Sequence, residues 1–130
     1  MSRIASGGEL SRIHLALRTI LLGERGSSGL TLLFDEVDSG LGGATASALA
    51  ELLAELATEQ QVLVVTHLPQ VAARAGRQYR IEKVMSDGRA VTRAAAMDEE
   101  DRQLELARML AGDELTESAL AHARTLLEES

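Results

Sequence analysis

Apolar residues recur along this chain in two rhythms, and the change from one to the other predicts the order of its elements. Leu10, Ile13, Leu17 and Ile20 fall at helical spacing between Glu9 and Leu22, with Ser6-Gly7-Gly8 ahead of them as cap and turn. Gly23 to Gly29, rich in Gly and Ser, ends that helix. Leu30-Thr31-Leu32-Leu33-Phe34 is then a short continuous apolar run stopped by acids, the pattern of a buried strand. From Ala44 to Ala57 the helical rhythm returns through Leu49, Leu52, Leu53 and Leu56, and Val62-Leu63-Val64-Val65 repeats the strand.

Strand, helix, strand in that order implies a right-handed parallel crossover whose strands are apolar on both faces because helices cover each side. The expected class is α/β. Pro69 suits the first turn of a brief helix through Ala73. Gln78 to Val84 and Ala90-Val91-Thr92 read as a hairpin closed by Ser86-Asp87-Gly88-Arg89, an Asp-Gly turn. Two helices finish the chain. The first opens with Asp98-Glu99-Glu100-Asp101, acids that suit a helix N-terminal dipole, and stops near Gly112; the second carries Leu120, Ala123 and Leu127 on one face.

Composition narrows this picture in three ways. A chain of 130 residues lies within the range of about 50–200 for one domain, so a single unit over residues 1–130 is expected. With one Phe, one Tyr and no Trp, aliphatic side chains must fill the core. The absence of cysteine excludes disulfides and thiolate metal sites and fits a reducing cytoplasm. No leader-like apolar segment stands between Met1 and Gly8, and no run approaches the roughly 18 apolar residues that span a bilayer, so no membrane role is expected.

The net charge of −7 is uneven. Residues 98–130 hold ten acids against Arg102, Arg108 and Arg124, which accounts for the whole excess. Between Arg74 and Arg93 lie six cations (Arg74, Arg77, Arg80, Lys83, Arg89, Arg93) and two acids, a local excess that suits a polyanion. A solvated strand face is the more economical reading of that run, because no aromatics are interleaved to stack bases.

Candidate chemistry gathers at the ends of the predicted strands. Asp35-Glu36 closes the first strand at the carboxyl edge of an α/β sheet, where ligands bind. Alternation along a strand sends adjacent carboxylates to opposite faces, so Asp35 can hold a hydrated Mg²⁺ while Glu36 polarises an attacking water. A strand that ends in solvent explains the pair equally well. His67 follows the second strand as Asp35 follows the first, and parallel pairing would bring the imidazole beside the carboxylates. There it can donate a hydrogen bond to developing phosphate charge; taken singly, a strand-end histidine is more often structural. Ser6-Gly7-Gly8 at a helix start offers backbone N–H groups to an anion, or is only a capped turn. Asp38-Ser39-Gly40-Leu41-Gly42-Gly43, directly after the acids, is a loop able to approach another backbone closely. His14 and His122 have no acidic partner nearby in sequence and receive no role.

All of these in this order resemble the C-terminal half of a P-loop ABC-type ATPase head, with parallel strands covered by helices, a small β-hairpin and a helical tail. Ser6, Gly7, Gly8 and Glu9 match the signature loop, Asp35 and Glu36 the end of Walker B, Asp38 to Gly43 the D-loop and His67 the switch histidine. Transport ATPases usually continue the acidic pair with Pro-Thr, whereas Val37-Asp38-Ser39-Gly40 follows here. The longer strings Ala5 to Arg12, Phe34 to Gly40 and Thr66 to Ala72 are similar to the RecN family of SMC-like ATPases of bacterial DNA repair, as far as about residue 97.

That resemblance implies ATP and Mg²⁺ as ligands and two head protomers that sandwich two nucleotides. Ser6 to Glu9 would then serve the partner's nucleotide, Asp35, Glu36 and His67 the nucleotide of their own head, and Asp38, Ser39 and Gly40 the coupling between sites. It further implies an N-terminal Walker A lobe of the same protein, a homodimer, DNA bound through the full-length protein in double-strand break repair and recombination, and a cytoplasmic, nucleoid-associated location. No Gly-x-x-x-x-Gly-Lys string occurs and Lys83 is the sole lysine, so a fragment that is inactive alone is expected. Two other readings stay open: a non-catalytic dimerisation lobe, disfavoured by the intact Asp35, Glu36 and His67, and a transporter ATPase, disfavoured by Val37.

Overall fold

A computed structural model of the chain describes residues 31–35, 41, 43–112 and 114–129. These fall into two compact units, residues 1–74 and 75–130. The expected helix over Glu9–Leu22 lies outside the described residues.

In the first unit, β1 (Thr31–Asp35) is followed by α1 (Gly43–Leu56), β2 (Gln61–Val65) and α2 (Pro69–Ala73). β1 and β2 pair in parallel, Thr31 with Gln61 through Asp35 with Val65, so α1 is the crossover between them. Each strand begins or ends within a residue of its apolar run. Alternation sends Leu32, Phe34, Val62 and Val64 to a half-buried face, from which Phe34, Val62 and Val64 pack on Leu49, Ala50 and Leu53 of α1 and Val71 of α2. Leu41 and Leu68 close the same cluster. The opposite face, with Leu33 at 69% and Val65 at 55% exposure, has no cover among the described residues. The helical cover expected on that side is not seen among the described residues.

The second unit opens with the hairpin of β3 (Tyr79–Ser86) and β4 (Arg89–Ala96), paired antiparallel from Ser86 with Arg89 to Tyr79 with Ala96. Its turn is Asp87-Gly88, with φ of 50° and 73°. Positive φ at both positions is what a two-residue loop needs to match strand twist, and Asp followed by Gly tolerates it. α3 (Glu99–Ala111) and α4 (Glu117–Glu128) follow, each started by a side-chain cap. The Asp98 carboxylate accepts from the Asp101 N–H at 2.8 Å, and the Thr116 hydroxyl oxygen from the Ala119 N–H at 3.1 Å. Asp98 is thus the cap and not the first helical residue. Leu106 and Ala107 of α3 and Ala119 and Ala123 of α4 are buried, and the three alanines leave room for the Leu106 side chain. Arg102 on α3 donates to the Ala75 carbonyl at 2.7 Å and ties down the start of the unit.

Candidate functional site

The described candidate residues lie at the carboxyl ends of β1 and β2. Asp35 is the last residue of β1 and is exposed, on the same face as Leu33. Its ladder partner is Val65, the last residue of β2, so both strands end level. Exposed and half-buried positions continue to alternate beyond Val65: Thr66 is half-buried, His67 exposed and Leu68 half-buried. His67 therefore keeps the parity of Val65, and register and alternation together bring Asp35 and His67 to one edge.

The turn that carries His67 is built from its neighbours. Leu68 packs on the core cluster below it. The Leu68 N–H donates to the Thr66 hydroxyl oxygen at 3.0 Å, a local bond that closes the backbone around His67. Leu68 then acts as N-cap of α2 with no side-chain bond; its carbonyl accepts from the N–H groups of Val71 at 3.2 Å and Ala72 at 3.1 Å. Pro69 fills the first helical position, where a missing N–H is harmless. Thr66 and Leu68 were not singled out in sequence as parts of the site. A hydroxyl residue two positions before an apolar one, with proline next, is the signal that could have found them.

Glu36, Asp38, Ser39 and Gly40, and the signature residues Ser6, Gly7, Gly8 and Glu9, lie outside the described residues. His122 is exposed on α4 in the second unit. Among the described residues there is no group of three or more His, Asp or Glu able to cage a metal ion. Nor is any helix among them long and apolar enough to cross a membrane.

No family model matches the chain. The DNA repair protein RecN of Deinococcus radiodurans is 51% identical over 127 residues, which is 98% of this chain. RecN of Streptomyces coelicolor is 52% identical over 126 residues, and RecN of Bacillus subtilis 41% over 130. This sequence matches a segment of RecN proteins over nearly its whole length. The chain spans 21–22% of the length of those three RecN proteins, so it answers to one segment of a RecN chain. A solved structure described as "Structural biochemistry of ATP-driven dimerization and DNA stimulated activation of SMC ATPases" superposes with a TM-score of 0.59. It covers 85% of this chain and 65% of its own, at 22% identity. The α/β fold of this RecN segment is thus that of an SMC ATPase.

Proposed function

We propose that this chain supplies two partial nucleotide sites to a RecN-type, SMC-like ATPase head that acts in DNA double-strand break repair and recombination. The observation that carries this reading is the level ending of β1 and β2, which joins Asp35 to the strand leading into His67, in a sequence 41–52% identical to RecN proteins. Asp35 then holds Mg²⁺ through water, Glu36 polarises the water that attacks ATP, and His67 donates a hydrogen bond to the charge that grows on the γ-phosphate. An exposed carboxylate at a strand end suits Mg²⁺, which keeps several waters and takes other ligands from phosphates. When bound, the ion neutralises phosphate charge.

Ser6, Gly7, Gly8 and Glu9 complete the nucleotide site of a second head, and Asp38, Ser39 and Gly40 couple the two. The partners required are the N-terminal Walker A lobe of the same protein and a second protomer, with DNA bound by the full-length protein in the bacterial cytoplasm, at the nucleoid. The reading of residues 1–130 as one lobe belongs to the same proposal, and so does inactivity of the lobe by itself. Joined to its Walker A lobe, Glu36→Gln is expected to bind ATP nearly normally and to lose about 10²–10⁴ in turnover, the worth of a general base. Steady-state turnover beside an equilibrium ATP titration checks it, and normal turnover in that variant would overturn the role of Glu36.

A further inference from the structure

The β3–β4 hairpin carries a row of exposed cations, two of which make no ion pair among the described residues. Antiparallel register sets Ser86 opposite Arg89, Glu82 opposite Arg93 and Arg80 opposite Ala95, so Arg80, Arg89 and Arg93 share one face. All three are exposed. Glu82, the acid on that face, is engaged by Arg80, whose Nε donates to Oε1 at 3.2 Å, although Arg93 stands directly across from it. Arg89 and Arg93 make no ion pair among the described residues. The helices differ: Arg74 pairs with Glu51, Arg108 with Glu105 and Arg124 with Glu128.

At about 3.4 Å per residue Arg89 and Arg93 stand about 14 Å apart, and Arg80 lies a diagonal of about 7–8 Å from Arg93. The row is thus about 20 Å long, against one phosphate per about 3.4 Å of duplex axis on each strand. Guanidinium forks suit phosphate oxygens, and Arg89 and Arg93 need break no internal pair to reach them. Tyr79 belongs to the opposite face by alternation, so no aromatic is available there to stack on bases.

We propose that Arg80, Arg89 and Arg93 form a docking face for the phosphate backbone of duplex DNA, read without sequence preference. The choice of DNA among polyanions rests on the repair function proposed above; the arginine row does not. The whole chain is titrated into a short fluorescent duplex at a series of NaCl concentrations, with anisotropy as the readout. Wild type should bind with an affinity that falls as salt rises, equally for unrelated duplex sequences. Arg89→Ala with Arg93→Ala should reduce the slope of log affinity against log salt by about two, near 0.9 per lost phosphate contact. Arg89→Lys with Arg93→Lys should keep most of that slope, because the charges remain, and Arg124→Ala should keep all of it.

An unchanged slope in the double alanine variant overturns the proposal, as does a lysine variant that binds as poorly as the alanine one. So does a wild-type chain that ignores DNA at low salt but self-associates through its acidic helices in sedimentation. Glu36→Gln leaves the DNA slope untouched in every case, so failure of the ATPase reading and failure of this face appear in separate measurements.

Discussion

Thr66 does more for the candidate site than its place in the sequence suggests. Its hydroxyl holds the Leu68 N–H, and Leu68 is anchored in the core, so the backbone on either side of His67 is fixed while the imidazole faces solvent. Thr66→Val keeps the shape and removes the acceptor. It should cost about 0.5–1.5 kcal/mol, the net worth of one hydrogen bond, read as a lower urea midpoint at unchanged m. In the protein joined to its Walker A lobe, the same change should lower kcat more than it raises KM for ATP, because it loosens a group that acts at the transition state. A raised KM with kcat unchanged would assign Thr66 to ground-state binding instead. The sequence carries only a weak sign of this, a hydroxyl two positions before an apolar residue with proline next, and that sign does not tell whether the hydroxyl turns to water or to the N–H two residues on.

At the scale of elements, what could be read in advance followed how strongly local chemistry restricts the backbone. Asp87-Gly88 admits the positive φ angles that few other pairs tolerate, and the hairpin closes there as expected. The parallel pair was legible in kind but not in facing, since a continuous apolar run does not announce which side meets α1. Leu33 and Phe34 look alike in sequence, yet Phe34 packs on the core while Leu33 is exposed. Among the candidate residues, Asp35 and His67 were legible because each follows an apolar run; their common edge depended on register, which only pairing supplies. Caps follow the same logic. Asp98→Ala removes the acceptor for the Asp101 N–H and an anion at the start of α3, and should cost about 1 kcal/mol, measured as a drop in the unfolding midpoint. Leu53→Ala, at 5% exposure in the core of the first unit, should cost about 2–5 kcal/mol by the same measurement.

For the molecule as a whole, acid and base are sorted by element: the cations gather on the hairpin and the acids on the two helices after it. Long-range repulsion is small beyond the screening length of about 8–10 Å, so a chain of net charge −7 can still offer an arginine face to an anion. The two pairs of strands also differ in how far the chain must travel to make them. β3 meets β4 across two residues, whereas β1 must wait for a partner 30 residues later, beyond the whole of α1. A hairpin of the first kind closes in about 1–10 μs. During synthesis at about 5–20 residues per second, β1 leaves the ribosome on the order of seconds before β2 exists to pair with it. For that interval Leu32, Leu33 and Phe34 lack their β2 partner, so nascent β1 is an apolar strand edge of the kind that chaperones shield.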